Sequence, residues 1–322
     1  MTGVALVVIL VIIGGITRLT QSGLSMVRWE PIVGTIPPLN HEQWENEFAQ
    51  YRSSPEFRVN NSHFTLQNFK QIYFWEYFHR LIGRLVGLVF LFPALFFWIQ
   101  GVFDTRMKKQ VILIFLGGLF QGVLGWYMVK SGLVDKPYVS HYRLAAHLST
   151  ALALAAYIYW VALEWKPNRK RATFSIRKAG IGLMLILGLQ IIFGAFVAGL
   201  KAGKVFNTFP KMGRDWLPSD LGYAFKYHGI IVLFENGIVV QFVHRCLAYL
   251  VVAGVIWLWW KIKNNYPDFF NISNILLFLV CIQFLIGVLT LIWAVPISLG
   301  VIHQVGAVIL LLGVVHLIKK AS

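Results

Sequence analysis

The chain has 322 residues, 57% of them hydrophobic and 13% charged, with a formal net charge of +16. Soluble domains carry about 25% charged residues, so this composition excludes an ordinary soluble protein and describes a polytopic membrane protein. The basic residues lie between apolar runs, which excludes nucleic acid as a partner and makes membrane lipid the partner of the positive charge.

Eight helical spans are predicted in chain order: Thr2–Leu19, Ile72–Ile99, Gln110–Val129, Tyr142–Trp165, Ala179–Leu200, Ile238–Trp260, Ile272–Trp293 and Ile297–Leu317. Each has about the 20 apolar residues a bilayer crossing needs, whereas barrel strands are about 10 residues with alternating polarity. No small-residue cleavage site follows Thr2–Ile16, so the start reads as a first span and not as a removed signal peptide. The absence of a transit peptide points to a bacterial inner (plasma) membrane.

Arg106, Lys108 and Lys109 follow span two. Lys166, Arg169, Lys170, Arg171, Arg177 and Lys178 follow span four, Lys261 and Lys263 follow span six, and Lys319 and Lys320 follow span eight. The positive-inside rule makes these loops, and with them both termini, cytoplasmic. The long connections Gln21–Gln71 and Lys201–Gly237 then lie outside, each expected to fold over the outer mouth of a bundle. A short helix is predicted near His41–Tyr51, with Asn40 as its cap. Cys246 and Cys281 both sit in apolar runs without a C-x-x-C pattern, so packed thiols are expected, not a zinc site or disulfide framework.

The two halves repeat. Glu76-Tyr-Phe-His79-Arg80 aligns with Gln241-Phe-Val-His244-Arg245, Gly14-x8-Gly23 with Gly194-x8-Gly203, and Gln121-x3-Gly125 with Gln283-x3-Gly287. His147 and His303 then fall at equivalent places. The expected architecture is an all-α membrane protein of eight transmembrane helices in two tandem four-helix bundles, residues 1–170 and 171–322, related as a parallel repeat. Small residues such as Gly14, Gly125, Gly194 and Gly287 let backbones approach closely or let a flat ligand lie against a helix.

Each half contributes a histidine pair from its second and fourth helices: His79 with His147, and His244 with His303. All four fall on the side of the long loops. Two histidines at one depth on facing helices can clamp a haem iron from both faces, so these four are the candidate iron ligands. His41, His63, His228 and His316 read as solvated or interfacial, and His141 as a mouth residue. Arg80 and Arg245 directly follow a ligand histidine and are candidate partners of haem propionates, which arginine suits by its fork geometry. Arg84 and Arg143 either share that role or snorkel toward headgroups.

The halves differ at one informative position. Glu76 lies one helical turn before His79, while Gln241 occupies that place before His244. An acid beside one site and an amide beside the other imply unlike duties. Unless Arg80 pairs with it, a carboxylate in an apolar bundle is held toward its protonated form and can exchange protons with a bound molecule. The alternative is an ion pair that fixes the helix.

Gly14–Ser25, Glu76–Arg80, Gln121–Val129, His141–His147, His244-Arg245 and His303-Gln304 together resemble the heme A synthase family over nearly the whole chain. That family oxidises the C8 methyl group of haem O to a formyl group, giving haem A for cytochrome oxidase. The resemblance implies Glu76 as the catalytic residue, His79 and His147 as holders of the substrate haem O, and His244 and His303 as ligands of a resident haem b. It also implies haem O synthase and cytochrome oxidase assembly factors as partners, while the oligomeric state, a homo-oligomer included, is left open by the sequence. Some members carry a cysteine pair in the first outer loop; here there is none, so a redox role for such a pair cannot operate. The expected chemistry is two hydroxylations of the methyl carbon, the second giving a geminal diol that loses water to the aldehyde. Oxygen can come from water or from dioxygen, and two histidines on the substrate iron disfavour direct dioxygen binding there. A dihaem b-type electron-transfer cytochrome would explain the histidines but not the Glu76/Gln241 difference. A non-haem transporter would leave four matched histidines unexplained.

Overall fold

The computed structural model describes residues 1–29, 33–134, 137–164, 173–218 and 221–322. Among the described residues the regular elements are helices, apart from one isolated antiparallel bridge between Met212 and Asp215. Eight helices are long and apolar enough to cross a membrane. They are α1 (Thr2–Leu19), α4 (Leu66–Ile99), α5 (Thr105–Leu133), α6 (His141–Glu164), α7 (Phe174–Gly199), α10 (Gly237–Asn265), α11 (Phe270–Ile292) and α12 (Ile297–Lys320). Between them lie α2 (His41–Arg52), α3 (Pro55–Asn60), α8 (Leu221–His228) and α9 (Val232–Glu235). All eight expected spans are present. Lys166, Arg169, Lys170 and Arg171, expected in the loop after span four, lie outside the described residues.

Helix starts follow local chemistry. The Asn40 side chain accepts from the Gln43 amide at 2.9 Å, so the expected cap of α2 forms. Ser54 accepts from the Phe57 amide ahead of Pro55 and opens α3. Thr65 and Asn68 form a reciprocal capping box at α4, which moves its start upstream of the predicted Ile72 because capping satisfies amide donors that hydropathy does not register. Asp104 caps α5 and Asn236 caps α10 through the Ile238 and Val239 amides. At 1.5 Å per residue the 34 residues of α4 reach about 51 Å, well beyond the roughly 30 Å apolar layer.

The chain forms two compact units, Met1–His147 and Leu148–Ser322. In the first, α1 packs on α4. The short helices α2 and α3 pack on the N-terminal extension of α4 through a core of Met26, Phe48, Tyr51, Phe69, Ile72 and Tyr73. The Tyr51 hydroxyl donates to Glu56 at 3.2 Å and accepts from Asn61 Nδ2 at 2.7 Å. Burial, reinforced by Glu56, holds this phenol above the ordinary tyrosine range.

In the second unit α7, α10, α11 and α12 pack together, and α8 and α9 cover the start of α10 through Ala224, Val232 and Val239. His316 is not left to solvent: Tyr159 lies 3.0 Å from its Nδ1. Lys319 pairs with Glu164 at 2.9 Å, and Glu164 also accepts from the Trp160 indole.

Candidate functional site

In the first unit α1 ends at Leu19 and the chain turns through Gln21, whose φ is +56°. It then returns against α4. Glu76 is 3% exposed there. Its Oε2 accepts from the Ser25 hydroxyl at 2.7 Å and the Met26 amide at 2.9 Å. Its Oε1 pairs with the Arg80 guanidinium at 2.6 Å. Arg80 also donates to the carbonyls of Met26 and Arg28, at 3.2 and 3.3 Å, and stacks over Trp29. The cation that the sequence offered as a partner of Glu76 is thus its partner. One buried ion pair is joined to one loop.

The second unit builds the same fastening with different chemistry. The chain leaves α7 through Lys201, whose φ is +54°. Arg245 donates to the carbonyls of Phe206 and Thr208, each at 2.9 Å, and of Lys211 at 3.3 Å. Gln241 Nε2 donates to the Phe206 carbonyl at 3.2 Å. Phe206 and Thr208 stand at the positions of Met26 and Arg28 when the two glycine motifs are aligned. Gln241 is 2% exposed, like Glu76, so an amide replaces a carboxylate in an equally buried place.

Each of the four histidines lies against a glycine of a neighbouring helix. A Cβ placed on Gly14 would stand 3.0 Å from Cε1 of His79, and one on Gly194 would stand 3.1 Å from Cε1 of His244. The equivalent distances are 3.4 Å for Gly125 and His147, and 2.8 Å for Gly287 and His303. At Gly14, Gly194 and Gly287 an added Cβ would crowd the imidazole edge, whereas at Gly125 the contact would be an ordinary one. His79 and His147 belong to the first unit, and His244 and His303 to the second. The Gln283 amide nitrogen lies 2.8 Å from the His303 carbonyl oxygen and 3.2 Å from its Nδ1. The Gln190 amide nitrogen lies 3.4 Å from Nε2 of His244.

This donor set fits a haem iron. Each site offers two imidazoles, and a porphyrin already supplies four nitrogens to its metal. A bare metal ion needs more protein ligands, and no group of three or more His, Cys, Asp or Glu that could hold one occurs among the described residues. Nδ1 of His79 and of His244 is buried with no protein hydrogen-bond partner, while Nε2 of His244 faces the Gln190 amide. Arg143 donates to the Tyr127 carbonyl at 2.7 Å and covers the Tyr127 ring at 3.7 Å. Sequence reasoning missed Ser25, Gln190 and the carbonyls that Arg80 and Arg245 hold. A hydroxyl in a motif is a weak signal, and backbone acceptors leave none.

The fold defines an all-helical integral membrane protein in which each unit seats two histidines against glycines and the first also holds a buried carboxylate. The COX15-CtaA family model, described as cytochrome oxidase assembly protein, matches residues 1–315. A protein named heme A synthase from Flavobacterium psychrophilum is 43% identical over 302 residues, covering 92% of this chain and 89% of the relative. Heme A synthases of Parvibaculum lavamentivorans and Maricaulis maris are 40% and 43% identical, over 91% of this chain and 84% and 86% of their own lengths. The chain belongs to this family.

Proposed function

We propose that this protein is a heme A synthase, an oxidoreductase that converts the C8 methyl group of haem O to a formyl group. The observation that carries the reading is the unequal pair of sites. Both have histidine rings seated on glycine and an arginine fastened to the loop after α1 or α7. Only the first has a carboxylate, Glu76, paired with Arg80, where the second has Gln241.

On this reading His79 and His147 hold haem O as substrate, and His244 and His303 hold haem b. When bound, a bis-histidine haem b supplies one-electron redox capacity suited to relaying electrons away from the first site. Arg80 and Arg245 fasten the flanking loops and would offer positive charge to haem propionates. Each oxidation removes two electrons from the methyl carbon. With water as the oxygen source, each step releases two protons and passes two electrons to an external electron acceptor: the first gives the alcohol, and the second a geminal diol, which loses water to the aldehyde. Although Glu76 is ion-paired with Arg80, which also fixes the helix to its loop, its carboxylate would accept a proton from the reacting group and orient the carbon-bound hydroxyl.

The two tandem halves, residues 1–170 and 171–322, then divide substrate from cofactor. The protein lies in a bacterial inner membrane with both termini cytoplasmic and the haem sites toward the outer side. This orientation is supported by Arg106, Lys108, Lys109, Lys261 and Lys263 at one set of helix ends, and by histidines near the starts of α6, α10 and α12. Haem O synthase and cytochrome oxidase assembly factors are the protein partners on this reading.

The test is Glu76→Gln followed by haem extraction. Retained haem, with haem O or its hydroxymethyl form accumulating, supports the assignment. A normal yield of haem A sinks it.

A further inference from the structure

The Gly14–Ser25 stretch contains more than a helix end. Thr17 Oγ1 donates to the Trp75 carbonyl at 3.1 Å, tying α1 to α4 one residue before Glu76. The Ser22 amide donates to the Thr17 carbonyl at 2.9 Å, and Thr20 and Ser22 hydroxyls lie 2.7 Å apart. These contacts fix the turn that delivers Ser25, 1% exposed, to Glu76. In the second unit the turn at Lys201 and the Arg245 fastening recur, but Val205 stands where Ser25 does, and it is 51% exposed. The hydroxyl occurs where the carboxylate occurs and is missing where the amide replaces it.

We propose that Ser25 is a positioning residue for Glu76, fixing which carboxylate oxygen takes the proton. A carboxylate offers about four lone-pair sites. The Ser25 hydroxyl and Met26 amide take the two on Oε2, and Arg80 takes one on Oε1. The remaining Oε1 site is the proton acceptor. Without the Ser25 donor, one Oε2 site opens and competes for that proton, although Met26 and Arg80 still hold the carboxylate. This inference rests on the reading that Glu76 takes part in the oxidation.

The experiment compares Ser25→Ala, Ser25→Thr and Ser25→Cys with Glu76→Gln in full-length protein purified from membranes supplied with haem O. Two quantities are read: the rate of conversion of haem O to its oxidised forms, and the low-spin haem spectrum with haem content per protein. Ser25→Ala is expected to slow conversion about tenfold or more, the scale of a lost hydrogen bond to a charged group, with haem content and spectrum unchanged. Threonine, which keeps the hydroxyl, restores the rate to near that of the parent. In the Glu76→Gln background Ser25→Ala adds nothing. If the alanine variant does not accumulate, cysteine, a near-isosteric weak donor, gives the same reading. A full rate in Ser25→Ala, or a loss that tracks loss of haem or an altered spectrum, overturns the inference. If Glu76→Gln itself converts haem O normally, the parent reading has failed instead.

Discussion

Alanine at Gly287 should disturb the second histidine pair without weakening its helix. A Cβ there would lie 2.8 Å from Cε1 of His303 and 3.4 Å from its Nδ1. Carbon atoms rest about 3.5–4.0 Å apart, so the overlap is about 0.7 Å. The ring cannot easily slide away, because the Gln283 amide holds both the His303 carbonyl and its Nδ1. Overpacking of this kind costs about 1–3 kcal/mol. Alanine gains about 0.8–1.0 kcal/mol over glycine in a helix interior, so overall stability should change little while the strain falls on His303. In a binding equilibrium each 1.4 kcal/mol is about tenfold, so haem retention should fall by roughly fivefold to 150-fold. Gly125→Ala is the internal control, since its Cβ would meet His147 at an ordinary 3.4 Å. Haem per protein in the purified variants and the low-spin electron paramagnetic resonance signal read the effect. Gly287→Ala with wild-type haem content and signal, or Gly125→Ala the more damaging of the two, would refute the reasoning.

Other consequences are smaller or more local. Arg80→Gln removes the cation from a buried pair whose side chains are 11% and 3% exposed. Breaking such a pair costs about 3–5 kcal/mol, so thermal denaturation in detergent should show clear destabilisation, and an unchanged midpoint would contradict the pairing. Tyr51→Phe takes a partner from both Glu56 and Asn61 and should cost about 1–3 kcal/mol. That loss should appear as faster proteolysis of the α2–α3 segment. Asn236→Ala removes the cap of α10 and should cost about 1 kcal/mol, with little change in the haem spectrum.

Much of this was legible in the sequence, for physical reasons. Bilayer spans must be long and apolar, so all eight announced themselves, with errors confined to their ends. The start of α4 was misplaced because Thr65 and Asn68 cap it in a polar segment that hydropathy ignores. Helices α3, α8 and α9 went unread because they are short and held by packing on longer helices. The pairing of Glu76 with Arg80 was readable from helical spacing. The role of Ser25 was not, because it is 51 residues from Glu76 in the chain and only the turn at Gln21 brings them together. The glycines at His79 and His244 showed in the sequence as a matched motif, and their contact with the rings became visible only in three dimensions.

The most direct test of the central claim is the pigment itself. The protein is purified from a bacterial membrane with and without a supply of haem O, and its haem is extracted and separated. The account predicts haem b in both preparations, and haem A or its hydroxymethyl precursor only when haem O is supplied. Haem b alone under both conditions, or no Soret band at all, would contradict it.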